Sequence, residues 1–257
     1  MTPGGAGGAP AADASLDAWL DWQTRQHARP IDMGLPRVTA VADRLGLRRD
    51  PPLTLTIAGT NGKGSTLAMI RAGIEGAGLT AHAYTSPHLA RFNERIRLAG
   101  ALVSDEALIA ALARCEEVNA GAPITFFEIT TAAAFLAFAR TPADVTLLEV
   151  GLGGRLDATN VVRAPRLTVI TPVSIDHTQY LGETLAEIAG EKAGILKRGV
   201  PCVVARQQDE ALAVIEARAA RLGCPLAVAG QHWTAAREGD ALVYQDERGL
   251  LDLPLPA

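Results

Sequence analysis

A mainly parallel, P-loop-type α/β sheet with helices on both faces is the fold this sequence predicts, with a small antiparallel segment near its C-terminus. Three observations carry that prediction. Short apolar or β-branched runs alternate with longer helical patterns from Leu53 to Ala229. One of those runs, LTLTIA at 53–58, feeds directly into the glycine-rich stretch GTNGKGST at 59–66. After Gly230 the pattern changes to a weak alternation that turns at Glu247-Arg248-Gly249.

The elements follow in order. Met1 to Ala14 is rich in Gly, Ala and Pro and reads as a disordered lead-in. It lacks the basic and apolar regions of a signal peptide. Ser15 to Gln26 is predicted helical, with Ser15 as N-cap and Leu16, Trp19 and Leu20 on one face. Met33 to Leu47 carries a second helical pattern, and Pro51-Pro52 ends it before the strand Leu53–Ala58. A helix is expected over Thr66–Ala77, a strand over Ala81–Tyr84, and a hairpin over Arg95–Val103 turning at Ala99-Gly100. Ser104 should cap a helix reaching Asn119, with Asp105 and Glu106 in its first turn. Phe127–Arg140 is apolar on nearly every side, as a helix buried between layers would be. The alternation then continues with strands at Val145–Val150 and Leu167–Thr171, a helix at Glu183–Ile195, a strand at Pro201–Ala205, a helix at Glu210–Leu222 and a strand at Leu226–Ala229.

Composition narrows the function classes. The 257 residues suffice for one large or two small domains. A net charge of −4 argues against a broad nucleic-acid surface, which needs a basic excess, and leaves room for a local anion site. No apolar run is long enough to span a bilayer. Cys115, Cys202 and Cys224 are widely spaced with no CxxC, so they read as buried thiols of a reducing, cytoplasmic compartment rather than a disulfide framework or a zinc site.

Four segments carry chemistry. In Gly59-Thr60-Asn61-Gly62-Lys63-Gly64-Ser65-Thr66, a strand enters a glycine-rich turn and then a helix. There backbone N–H groups and the helix dipole bind phosphate, Lys63 reaches the terminal phosphates, and Ser65 can face a magnesium ion. The spacing departs from GxxxxGK[ST], because Gly64 separates the lysine from the hydroxyl. Glu149 sits near the C-terminal end of an apolar strand, where open α/β sheets bind ligands and where a carboxylate can hold a cation. Taken alone it is equally a solvated strand end, and the GLGG that follows is weak evidence of a ligand loop. His177 in Ser174-Ile175-Asp176-His177 also falls at a strand end; a lone histidine is more often structural than a ligand. Lys192 in EKAGI is by itself a surface lysine. Ser86 after the strand at 81–84, and Arg91, Arg95 and Arg97, are weaker candidates for cation and anion contacts.

Together the segments GTNGKGS at 59–65, TSPHLARFNERI at 85–96, FFEITTAAAF at 126–135, LEVGLGGRLDATN at 148–160, SIDHTQYLG at 174–182 and EKAGI at 191–195 resemble, in order and spacing, the folylpolyglutamate synthase/dihydrofolate synthase family, a branch of the Mur ligases. The resemblance implies an ATP-dependent ligase that joins a pteroate or folate carboxylate to L-glutamate through an acyl phosphate. It implies that Lys63 and the 59–66 loop hold ATP, and that Ser86 and Glu149 hold a first Mg²⁺ and Glu149 and His177 a second. Lys192 falls where the family carries a carbamylated lysine, and Lys63, His177 and Lys192 form the implied catalytic set. Thr125, Phe127, Asp157 and Ala158 match the pterin/pteroate pocket. The implied partners are dihydropteroate, tetrahydrofolate and glutamate, with no nucleic acid or membrane, on a monomer. A non-catalytic nucleotide- or folate-binding module, and a Mur ligase for another carboxylate, are the alternatives.

Residues 15–257 read as the ATP-binding domain alone. The family's second domain, which supplies the glutamate site, is expected to be missing, and the chain by itself is expected to bind nucleotide weakly and not to ligate.

Overall fold

The computed structural model describes residues 8–11, 13–47 and 53–255. Among them lie eight α-helices: α1 Leu16–Thr24, α2 Pro36–Arg44, α3 Lys63–Gly76, α4 Asp105–Asn119, α5 Phe126–Arg140, α6 Thr178–Leu181, α7 Leu185–Lys192 and α8 Asp209–Leu222. The strands are β1 Thr54–Ala58, β2 Ala81–Tyr84, β3 Ile96–Leu98, β4 Ala101–Leu102, β5 Val145–Glu149, β6 Leu167–Ile170, β7 Cys202–Val204, β8 Leu226–Val228, β9 Trp233–Glu238, β10 Ala241–Asp246 and β11 Gly249–Pro254. Strands β1 to β8 form one sheet in the order β4-β3-β2-β5-β1-β6-β7-β8, and β11-β10-β9 form a small antiparallel sheet. In that order every pairing from β2 through β8 is parallel, and at one edge β3 alone runs against the rest, antiparallel to both β2 and β4. The expected fold class is therefore the observed one.

Side-chain alternation on the strands explains the layers. Ile57, Leu147, Ala83 and Val169 point to one face and pack under α3 through Leu67. Tyr84 and Leu148 point to the other, where Ile129, Ala132 and Ala133 of α5 bury against them, with α1, α2 and α4 outside. On that same second face Ala58, Ile170 and Val204 meet Ile188 of α7 and Ile215 of α8. Strand β1 is central, with β5 on one side and β6 on the other. The chain reverses direction of travel here, which opens a crevice beyond the strand ends.

Local chemistry sets the element ends. Ser15, Ser104 and Thr125 each accept a backbone N–H of the helix they cap. The expected helix at Thr66 begins instead at Lys63, so the lysine of the glycine loop belongs to the first turn. The helix expected over Glu183–Ile195 is present as α7, which Thr184 caps with a reciprocal bond to Glu187, and tightens to a 3₁₀ turn over Ala193–Ile195; α6, before Gly182, was not expected. Gly182 must be glycine, since its φ is +108° and a Cβ would enter the Glu187 side chain. The pattern expected over Met33–Leu47 shortens to α2 because Pro36 starts it at the first turn. Of the lead-in, residues 1–7 and 12 lie outside the described residues, as do Pro51 and Pro52. The Ala11 carbonyl accepts bonds from Ala14 N–H and from Trp19 Nε1–H.

His82 pins the hairpin to the sheet. Its Nε2 lies 2.9 Å from the Thr141 carbonyl, and its Nδ1 accepts the Ala99 N–H at 3.1 Å. The two contacts together require the neutral ring with its proton on Nε2. The ring is buried and stacks on Phe138 at 4.6 Å, and burial lowers its pKa. The unfolded chain therefore binds the extra proton more readily, and stability falls as pH drops below about 6.5, the ordinary histidine value. Thermal melting followed by circular dichroism from pH 7.5 to 5 should show this loss, and H82Q should flatten it.

Candidate active site

The site is built where β1 and β6 end side by side. Thr171 N–H continues the ladder onto the Ala58 carbonyl at 2.8 Å. The next residue, Gly59, has φ +146°, and a Cβ there would overlap the Thr171 hydroxyl and stand 2.9 Å from its carbonyl oxygen. Glycine alone permits this approach. The turn after β6 then closes on the loop. The Pro172 carbonyl accepts both Thr60 N–H (3.0 Å) and Asn61 N–H (3.3 Å). Thr60 Oγ1 donates to Ser174 O and accepts Ser174 N–H, and Asn61 Nδ2 donates to Ser174 Oγ. On the far side, Gln207 accepts Val173 N–H and donates to Thr171 O, fixing the same turn.

This accounting separates the residues of the glycine loop. The amides of Thr60 and Asn61 are consumed within the protein. Gly62, with φ +81°, caps α3, and its carbonyl takes the first intrahelical bond from Thr66 N–H at 2.9 Å. The N–H groups of Lys63, Gly64 and Ser65 precede that bond and carry the positive end of a 14-residue helix. Lys63 Nζ donates to Thr60 O at 3.2 Å, folded over the same loop. The backbone N–H groups that precede the first intrahelical bond are therefore those of Lys63 to Ser65, while Gly59 to Asn61 and Thr66 hold the loop's shape.

Glu149, the last residue of β5, is buried on the α3 face. A Cβ on Gly64 would lie 3.6 and 3.8 Å from its two carboxylate oxygens, an ordinary contact distance that places the carboxylate beside the loop. Ser86 N–H donates to Glu149 Oε2 at 3.0 Å. Burial raises the Glu149 pKa, opposed by that N–H and by the Lys63 charge. Lys192 is buried at the end of α7, and its Nζ donates to the Gly59 carbonyl at 3.0 Å. Burial, joined by repulsion from Lys63 and opposed by Asp176, lowers its pKa to about 8. His177 sits at φ +50°, half-exposed, with its N–H on Asp176 Oδ1 (2.8 Å) and Nε2 3.6 Å from Asp176 Oδ2.

A cavity of about 280 Å³ adjoins this cluster and is lined in part by Ser86, Arg95, Thr125, Phe127, Asp157, Ala158 and His177. All four residues expected for the pterin pocket thus share one cavity. The Phe127 ring fills the space a Gly151 Cβ would occupy. Asp157 is buried and already saturated: Oδ1 accepts Thr159 N–H and O–H, and Oδ2 accepts Gly151 N–H and Leu152 N–H. It organises the 151–159 loop, and a ligand donor reaching it shares an oxygen already engaged. Arg95 was only a weak sequence candidate. In the structure its Nε–H donates to His88 Nδ1 at 2.8 Å, its guanidinium lies 5.1 Å from the Phe92 ring centre, and among the described residues no carboxylate pairs with it. Burial works against its charge, so it faces the cavity as a cation awaiting an anion.

Sequence reasoning singled out Ser174-Ile175-Asp176-His177 for its histidine and missed Ser174 and Pro172 as the clamp on the loop. It also missed Gln207, whose role depends on a side chain crossing to the next strand end and leaves no local pattern. Gly59→Ala should destabilise the chain by ~2–4 kcal/mol, combining backbone strain and overpacking. Urea unfolding measures this, and Gly73→Ala, where nothing lies within 4 Å, is the control.

Residues 57–251 match the Mur ligase middle domain. The chain is 38% identical over 248 residues to the dihydrofolate synthase/folylpolyglutamate synthase of Escherichia coli K12, covering 96% of this chain and 58% of that protein. The corresponding Bacillus subtilis protein is 44% identical over 216 residues, covering 81% of this chain and 49% of that one. A solved structure of E. coli FolC with DHPP and ADP superposes with a TM-score of 0.90 at 38% identity, covering 96% of this chain and 59% of that one. A bifunctional folylpolyglutamate synthase/dihydrofolate synthase with Mn, AMPPNP and L-glutamate superposes with a TM-score of 0.87 at 37% identity, covering 97% and 60%. The chain thus spans less than two-thirds of the length of these relatives. Through its middle domain, this chain belongs to the Mur ligase family.

Proposed function

We propose that the chain carries the nucleotide and acid-substrate sites of an ATP-dependent ligase adding L-glutamate to dihydropteroate, tetrahydrofolate or both. The observation that carries this reading is the position of Ser86. Its amide holds Glu149 against the phosphate loop, while the same residue lines the cavity of Phe127 and Arg95. A carboxylate seated in that cavity and a phosphate seated on Gly62–Ser65 share one border. The relatives solved with DHPP and ADP, and with AMPPNP, Mn and L-glutamate, support the same pairing of ligands.

The chemistry follows from the groups present. A substrate carboxylate oxygen attacks the γ-phosphorus of ATP, ADP leaves, and an acyl phosphate forms. The glutamate amine attacks the acyl carbon, loses a proton, and phosphate departs. Loop amides and Lys63 neutralise phosphate charge and hold it in line. Arg95 pairs with the anionic substrate, and Phe127 offers a face to an aromatic ring. Among the described residues no three His, Cys, Asp or Glu cluster as a ready-made metal site. The donors present are hard oxygens, Glu149 and the Ser86 hydroxyl beside a phosphate loop, and they fit Mg²⁺, which uses one or two carboxylates plus substrate phosphates and water. A bound Mg²⁺ supplies charge neutralisation at those phosphates; Ser86 and Glu149 would hold a first ion, and Glu149 and His177 a second.

Lys192 fits a carbamate. An amine with a pKa near 8 is substantially neutral at pH 8, and a neutral amine adds to CO₂ and releases a proton, leaving a carboxylate. Among the described residues no helix is long and apolar enough to cross a membrane. A cytoplasmic monomer completes the reading, with Cys115, Cys202 and Cys224 buried as free thiols.

Two measurements test it. In equilibrium dialysis, F127A should weaken dihydropteroate binding ~10-fold with little change for Mg-AMPPNP, and K63A should do the reverse. Tighter binding of a muramoyl peptide than of dihydropteroate would reassign the acid. With ¹³C-bicarbonate, NMR should show a carbamate resonance that strengthens between pH 6.5 and 8.5 and is missing in K192R.

A further inference from the structure

The segment from Pro30 to Gly34 has no helix or strand, yet it forms a wall of the acid cavity. It is thin. Pro30, Ile31, Asp32 and Met33 line the 280 Å³ cavity on one side and also a second, of about 440 Å³, on the other. A segment with space on both faces has little packing to hold it, so its position depends on discrete anchors. Met33 rests on the core beside α7, and Leu35 on the core beside α5.

The polar anchor is one side chain. Arg37, in the first turn of α2, donates from Nη1 to Asp32 Oδ2 at 2.7 Å and from Nη2 to the Asp32 carbonyl. Its Nε donates to both oxygens of Glu128, at 3.1 and 2.8 Å. Glu128 is buried and caps α5, with Oε2 accepting the Thr125 N–H and O–H at 3.0 and 2.8 Å. Thr125 and Phe127 border the same cavity from that helix end. His27 Nε2 approaches Asp32 at 3.5 Å and is a weaker second contact.

We propose that Arg37 is the positioning residue of the acid-binding cavity: its guanidinium latches the Asp32 segment to the first turn of α5 and so sets the distance between the two walls. A planar fork is needed, because three acceptor groups on two elements are engaged at once, which a lysine point charge cannot reproduce. The latch stands on geometry alone; its assignment to pteroate or folate substrates rests on the function proposed above.

The test uses the whole 257-residue chain, as wild type, D32N, R37M and R37K. D32N weakens the latch at the segment, since a neutral amide replaces the carboxylate while the residue-32 carbonyl still accepts from Arg37, and it leaves the Arg37–Glu128 pair, so it keeps the helix cap if R37M fails to fold. Without ligand, amide exchange at Ile31–Gly34 should quicken by roughly 10-fold in D32N and R37M, with β1 and α3 unchanged. Dihydropteroate should bind about 5- to 20-fold more weakly in both, Mg-AMPPNP within about 2-fold of wild type, and R37K should recover only part of the loss. Unchanged exchange in D32N, equal loss of both ligands, or full rescue by R37K overturns the proposal. If wild type binds Mg-AMPPNP but no dihydropteroate, the functional reading fails, and the exchange comparison alone decides the latch.

Discussion

The packing of Gly59 against Thr171, tighter than that of any other glycine among the described residues, is the constraint on which the rest depends. Two adjacent parallel strands end together, and the missing Cβ at Gly59 lets the turn after one lie on the loop after the other. The consequences are additive. Pro172 absorbs two amides that would otherwise face a ligand, and Thr60 and Ser174 lock the turn reciprocally. The chain can then enter α3 only through the left-handed Gly62. What remains pointing outward is a short row of N–H groups at a helix start, with Lys63 folded beside them. A phosphate site of this kind is preorganised, since no amide must break an internal bond to receive the anion.

Charge around that row is arranged so that an anion relieves it. Burial lowers the Lys192 pKa to about 8, with repulsion from Lys63 adding to the shift and Asp176 opposing it. Glu149 is pushed the other way by burial and is held ionisable by Ser86 N–H and Lys63. Neither group is in its most comfortable state without a ligand. A polyphosphate with a divalent cation would supply negative charge near the lysines and positive charge near the carboxylate at once. A neutral ligand would leave both strains in place, so the electrostatics discriminate between ligand classes more sharply than the loop geometry does.

How legible this was in the sequence depended on the range of the interaction. The caps at Ser15 and Ser104 and the hairpin turn at Ala99-Gly100 are set by residues within a few positions, and the structure has them where the sequence places them. The glycine-rich turn between β1 and α3 was legible for the same reason. The start of α3 at Lys63 was not, because the helix is extended by a glycine in a conformation fixed from another strand. The short helix α6 before Gly182 was not read at all, because four residues carry too little periodicity to show, whereas the helix after Gly182 was placed within two residues of its start. Asp157 was read as a ligand group, and it faces the cavity, but four donors from its own loop claim it first. Arg37 carried no signal. The one hint was Thr125-x-x-Glu128, a capping box whose buried carboxylate calls for a cation from elsewhere.

Ser86 shows why one sheet edge can serve two ligands. Its N–H is spent on Glu149, so the carboxylate is aimed at the loop without help from any substrate. Its remaining atoms belong to the wall of the neighbouring cavity. Phe127 and Gly151 pack closely against one another at that same cavity. Ser86 follows β2, Gly151 follows β5 and Gly59 follows β1, three neighbouring strand ends, while Phe127 adds a side chain from the first turn of α5. Transfer between two bound anions needs this rigidity, since their mutual repulsion would otherwise drive them apart, and misplacement by an ångström can cost ~100-fold in rate. The parallel sheet fixes the register of those three strand ends, and the close packing at Gly59 transmits that register to the loop.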